Sequence, residues 1–210
     1  MQAKNVLIAA NGTWPNQAIW KPLVDCSDIV IACDGAIVQL LQNDIIPDFI
    51  VGDLDSIPQE MSISQLEQLG IAIIPILDQE SNDLAKAIDY CNNLGATKID
   101  VIGIEGGRLD HQIGAYFSLC EQESNAILHL DNWTARLVPS EGLVLNSIEK
   151  GKNISLFAIG TVKGVTLSGV KWTLNNEELL PGTNGLHNES IGGEIKISHL
   201  EGHLLILIER

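Results

Sequence analysis

The chain has 210 residues, 45% of them hydrophobic, and a mean hydropathy of +0.17, enough for one large domain or two small ones around a buried core. No apolar stretch reaches the roughly 18 residues of a membrane helix, and the first apolar run breaks at Asn11-Gly12, too short for a signal peptide. A formal charge of −15 argues against a nucleic-acid surface, which needs clustered Lys and Arg. It suits a cationic small molecule, or a polyphosphate bridged by a divalent metal.

From residue 1 to about 125, short apolar runs alternate with helix-like segments. Val6–Ala10, Ile29–Cys33, Phe49–Val51, Ile71–Leu77 and Ile99–Ile104 read as strands. Most are apolar throughout, as expected of strands covered on both sheet faces. Leu84, Ala87, Ile88, Cys91 and Leu94 line one face of a helix that Ser81 or Asn82 caps and Gly95 stops. A second helix over Asp110–Glu121 places Ile113, Tyr116, Phe117 and Cys120 on one side. This alternation predicts an α/β layer with a largely parallel sheet. From 126 to 210 no helix is evident. Ile154–Ile159, Val165–Val170, Glu194–His199 and His203–Ile208 read as strands between Gly- and Pro-rich turns, the pattern of an antiparallel β-sandwich. The four cysteines (Cys26, Cys33, Cys91, Cys120) include no Cys-x-x-Cys pair and read as buried free thiols of a cytoplasmic protein. Trp14, Trp20 and Trp133 read as core or interface aromatics. His199 and His203, four apart, read as a metal pair or as solvent-facing polar positions.

In an open parallel sheet, ligands bind beyond the carboxyl ends of the strands. The first expected strand ends in Asn11-Gly12, the second in Asp34-Gly35, and the third in Gly52-Asp53-Leu54-Asp55-Ser56. Asp78-Gln79-Glu80-Ser81-Asn82-Asp83 follows the fourth, and Glu105-Gly106-Gly107-Arg108-Leu109-Asp110-His111 follows the fifth. Asp, Gly and Ser are ordinary turn residues, so one such run means little. Carboxylates after four strands imply a shared acidic pocket, self-repelling unless a cation such as Mg²⁺ fills it. Arg108 would then grip phosphate oxygens. Lys86, three residues after Asp83, either reaches a phosphate or forms a surface ion pair with Asp83.

Asp34–Ala36 (DGA), Gly52–Ser56 (GDLDS), Asp78–Ile88 and Gly107–Ala115 resemble, in order and spacing, the signature of thiamine pyrophosphokinases. Gly169–Leu174 (GVKWTL) and the Gly-Thr and Asn-Glu elements of Gly182–Ser190 resemble that family's second-domain signature. The resemblance spans nearly the whole chain. It implies an α/β domain over 1–125 that binds ATP and Mg²⁺, and a β-sandwich over 126–210 that binds thiamine and dimerises. It further implies a homodimer with active sites at the subunit interface, transferring pyrophosphate from ATP to thiamine and releasing AMP. By motif, Asp34, Asp53, Asp55 and Asp83 would surround Mg²⁺. Gly35, Gln79, Asn82, Lys86, Arg108 and His111 would serve ATP and its phosphates. Asp110, Trp172, Thr166, Ser168 and Asn188 would serve thiamine. The chain departs from the family pattern at Asn82, where Thr is usual, at Leu54, where Phe is common, and at His187, where Ser is more frequent.

Such a transfer needs positioning and charge neutralisation more than covalent chemistry. Asp110 is the leading candidate for a general base, with His111 its rival. Trp172 suits stacking on a cationic heterocycle but reads equally as a sandwich-core aromatic. Two other functions fit parts of the pattern: a non-catalytic dimeric thiamine or nucleotide binder, and another nucleotide transferase with an Asp-x-Asp metal site.

Overall fold

The computed structural model describes residues 4–58, 60–122 and 124–210. The chain divides into two units between Asp131 and Asn132. The first contains β1 (Asn5–Ala9), α1 (Gln17–Asp25), β2 (Ile29–Cys33), a 3-10 turn (Asp34–Ala36), α2 (Ile37–Gln42), β3 (Phe49–Gly52) and α3 (Ile63–Gln68). It continues through β4 (Ala72–Pro75), α4 (Asp83–Asn93), β5 (Lys98–Ile102), α5 (Leu109–Glu121) and β6 (Ile127–His129). The boundary falls later than residue 125 because β6 pairs in parallel with β5, Asp100 opposite Ile127, and completes the first sheet.

The strands lie in the order β4-β3-β2-β1-β5-β6, every pairing parallel. Val6–Ala9, Val30–Cys33 and Ile50–Val51 are buried, so the apolar runs are covered on both faces. After β4 the chain passes through α4 to β5, on the far side of β1. This reversal opens a crevice beyond the carboxyl ends of β1 and β5. Helix α4 buries Leu84, Ala85, Ala87, Ile88 and Cys91, and Asn82 caps it by accepting from the Ala85 N–H at 2.8 Å. Helix α5 differs from its expected face. It buries Ala115, Ser118 and Leu119, while Ile113 and Phe117 are about half exposed and Tyr116 and Cys120 are intermediate.

The second unit contains β7 (Trp133–Leu137), β8 (Leu143–Ile148), β9 (Asn153–Ser168), β10 (Leu174–Leu179), β11 (Asn188–Glu189), β12 (Gly193–Ser198) and β13 (Glu201–Glu209). The two strands expected over 154–159 and 165–170 are one 16-residue strand. Its first half pairs with β13 and its second half with β10 and β12, all antiparallel. One strand shared between two sheets in this way turns the corner of a sandwich. Ile154, Leu156, Val162, Val165, Leu167, Ile195, Ile197, Leu204 and Ile206 form its core.

The cysteines are free, but only Cys33 and Cys91 are buried; Cys120 is intermediate and Cys26 exposed. Burial pushes the Cys91 thiol up to about 12 and Cys33 well above its ordinary value, so both are inert at neutral pH. Trp14 and Trp20 are buried and meet edge to face at 5.3 Å. His199 bonds the Val138 carbonyl at 3.0 Å, a structural role. No helix among the described residues is long and apolar enough to cross a membrane.

Candidate active site

A cleft of about 610 Å³ opens at the carboxyl ends of the first unit's strands, lined by Asn11, Asp34, Asp53, Asp55, Asp83, Lys86 and Arg108 among others. Asp34 directly follows β2 and takes a left-handed backbone, φ +37°, which costs a non-glycine residue about 1–3 kcal/mol. Its residue is 2% exposed. One carboxylate oxygen accepts the Ser56 N–H at 2.9 Å, while the other, Oδ1, is buried with no hydrogen-bond partner among the described residues. Burial pushes the Asp34 carboxyl up, Ser56 opposes this, and the charges of Asp83, Asp53 and Asp55 raise it further.

Asp53, after β3, and Asp83, at the start of α4, each bring a carboxylate oxygen into a group with Asp34 whose members lie within 4.8 Å of one another. Gly52 allows this approach: a Cβ there would stand 3.1 Å from the Asp34 Cβ and 3.3 Å from an Asp83 carboxylate oxygen. Three convergent oxygen donors, one buried and unpaired, fit a hard divalent cation. Among the described residues this is the one such grouping. Asp55 lines the cleft outside that group, exposed and accepting the Ser56 hydroxyl at 2.9 Å. The Gly52–Ser56 run is a turn that also delivers Asp53 to the carboxylate group. Leu54 occupies the left-handed region at φ +70°, and the Asp55 N–H turns back to Asp53 Oδ1 at 3.3 Å.

Lys86 is not half of a surface ion pair. Its side chain is 4% exposed, and its ammonium lies 3.2 Å from Asp83, so a buried cation faces the acidic cleft. The Asn82 side chain, by contrast, is spent on structure. It caps α4 and exchanges hydrogen bonds with the fully buried Ser118 of α5 at 2.8 and 3.0 Å, which fixes α4 and α5 to each other at the rim. Gln79 and His111 are exposed at the cleft. Arg108 and Asp110 are exposed and bound to each other through two contacts, 3.1 and 2.6 Å. While this contact is closed, the Arg108 hydrogen bond holds the Asp110 carboxyl down at about 2. Asn11 had no role assigned from sequence, although its place after β1 marked it. A Cβ on the buried Gly35 would meet its Nδ2 at 2.6 Å.

In the second unit a smaller pocket, about 210 Å³, is lined by Leu156, Leu167, Trp172, Leu174, Leu186, His187 and Asn188. Trp172 is 55% exposed, so it is a pocket wall and not a core aromatic. The Lys171 ammonium lies 4.7 Å from its ring centroid. Thr166 and Ser168 do not line this pocket. They alternate on β9 with the buried Val165 and Leu167 and therefore face the other way; Thr166 accepts the Asn176 N–H at 3.2 Å instead.

Residues 20–129 match the family described as thiamin pyrophosphokinase, catalytic domain, and residues 142–204 match thiamin pyrophosphokinase, vitamin B1 binding domain. The chain is 29% identical over 181 residues to thiamine pyrophosphokinase 2 of Arabidopsis thaliana, covering 81% of this chain and 64% of that protein. It is 32% identical to thiamine pyrophosphokinase 1 of Oryza sativa subsp. japonica over 73% of this chain and 59% of that protein. Against thiamine pyrophosphokinase of Bacillus subtilis it is 27% identical, with 97% and 93% covered. The chain thus spans less than two thirds of the length of these plant relatives and nearly all of the bacterial one. In fold it is similar to the crystal structure of the Bacillus subtilis thiamine pyrophosphokinase, with a TM-score of 0.79 at 24% identity over 98% and 99% of the two chains. The yeast thiamin pyrophosphokinase aligns with a TM-score of 0.75 at 17% identity, covering 100% and 87%. With both family domains matched in order, the chain belongs to the thiamin pyrophosphokinase family.

Proposed function

We propose that the protein transfers the pyrophosphoryl group of ATP to the hydroxyl of thiamine, forming thiamine diphosphate and AMP. The observation that carries this reading is the buried, unpaired Asp34 Oδ1 among two further carboxylates at the strand ends. A protein keeps such a crowded charge only if a ligand neutralises it.

Asp34, Asp53 and Asp83 would hold Mg²⁺, with Asp55 at the cleft wall. An ion held by these residues would supply charge neutralisation for the phosphates and for the leaving group. Lys86 meets the phosphate chain from the buried side. Arg108, once released from Asp110, binds it from the exposed side with Gln79 and His111. Gly35 and the structural Asn82 shape the walls. The transition state of such transfers is loose, so proton removal from the hydroxyl need not be early. Asp110, freed of Arg108 when the latter turns to the phosphates, is assigned to accepting a hydrogen bond from the hydroxyl and orienting it. Trp172 stacks on thiamine, whose positive charge suits both an indole face and an acidic chain. The reading makes the protein a cytoplasmic homodimer, a compartment consistent with its four free thiols. In it, the acidic cleft of one protomer faces the Trp172 pocket of its partner.

Purified protein with Mg²⁺, ATP and thiamine should yield thiamine diphosphate and AMP in equal amounts, read by chromatography. ADP as the nucleotide product, or no turnover, would sink the reading.

A further inference from the structure

We infer that Asn188 is a positioning residue that acts through Trp172 and is not itself a ligand of thiamine; the inference rests on the reading that Trp172 stacks on that substrate. The residues leading to Trp172 run antiparallel to those around β11. Val170 bridges Ser190, and the Lys171 N–H donates to the Glu189 carbonyl at 2.8 Å. At the next step the main-chain ladder stops, and the Asn188 side chain continues it. Its Oδ1 accepts the Trp172 N–H at 3.1 Å, and its Nδ2 donates to the Trp172 carbonyl at 2.6 Å. Oδ1 also accepts the Glu189 N–H at 2.9 Å.

An amide oxygen has two lone pairs and an amide nitrogen two hydrogens. Both acceptor sites and one donor of Asn188 are therefore occupied within the protein, leaving a single N–H. The residue is 9% exposed, whereas Trp172 is 55% exposed. A half-exposed indole in a chain connection needs its backbone fixed if its ring is to present one face to a ligand, because loose positioning of a binding group is costly. Asn188 supplies that fixing at both polar atoms of the Trp172 main chain.

The test combines native-state hydrogen exchange with a double-mutant cycle on the full-length protein. In the wild type the Trp172 amide should exchange slowly, and in Asn188→Asp, which keeps the shape but loses the donor, faster. The KM for thiamine should rise about tenfold in Asn188→Asp, as expected for one lost hydrogen bond and a carboxylate oxygen set against the Trp172 carbonyl, while the KM for ATP does not move. In a Trp172→Ala background, Asn188→Asp should add nothing to the thiamine KM. Additive losses would make Asn188 a direct ligand and overturn the inference. If Trp172→Ala leaves the thiamine KM unchanged, the stacking reading fails separately, and exchange decides the positioning claim. A Trp172 amide exchanging like an open loop amide in the wild type overturns it, even if Asn188→Asp does not fold.

Discussion

Two buried aspartates of the first unit, Asp34 after β2 and Asp100 on β5, stand in opposite electrostatic states. Asp100 is fully partnered: the Lys98 ammonium and His129 Nε2 each lie 2.7 Å from one of its oxygens. Burial pushes its carboxyl up, but His129 and Lys98 outweigh burial and hold it below its ordinary value. Asp34 has one oxygen bonded to Ser56 and one bonded to nothing among the described residues, with like charges beside it that raise its carboxyl. Asp100 sits within a strand and its neutralising charges are built into the fold. Asp34 sits beyond a strand end, on a strained backbone, where two further carboxylates converge and the nearby Lys86 ammonium is paired with Asp83. On the proposed reading, the contrast separates a structural carboxylate from one kept for a ligand.

The largest effect should come from the acid group itself. Asp53→Asn and Asp83→Asn should each lower kcat/KM by about 10³-fold while circular dichroism stays native; losses under tenfold would show that these carboxylates only form turns. Asp100→Asn should do the reverse. It should lower unfolding stability by about 1–3 kcal/mol in denaturant titrations, with turnover per folded molecule retained. Because its folded pKa is depressed, the contribution of Asp100 is present above the ordinary carboxylate range and is lost as pH falls through the lowered value. Wild type and Asp100→Asn should therefore converge in stability in acid. A stability gap that persists there would remove the ion pairing as its cause.

The Asp34 side of this contrast was legible in the sequence, and for physical reasons; the pairing of Asp100 with Lys98 and His129 was not. Apolar runs without alternation marked doubly covered strands, and the strand-end rule placed Asp34, Asp53 and Asp83 at one edge. What stayed hidden depends on three-dimensional pairing. Three strand connections choose which oxygens converge, so nothing local separates Asp53 from Asp55. Arg108 and Asp110 join at a helix start, which a one-dimensional reading treats as two free groups. Asn82 and Asn188 carried motif-level roles as ligands, yet each amide keeps only one N–H after bonding neighbouring backbone or Ser118. That Thr166 and Ser168 do not line the Trp172 pocket was readable in advance. The alternation of Val165-Thr166-Leu167-Ser168 already set them on the face opposite Leu167.

The claim that Asp34 is held unpaired for a divalent cation is tested most directly by thermal unfolding of wild type and Asp34→Asn with and without Mg²⁺. Without metal, Asp34→Asn should be the more stable by about 1 kcal/mol, because it removes a buried charge from a crowd of acids and Asn tolerates the left-handed backbone. Added Mg²⁺ should raise the wild-type midpoint in proportion to site occupancy and leave Asp34→Asn unmoved. An equal Mg²⁺ shift in both proteins, or a variant less stable than wild type without metal, would contradict the account.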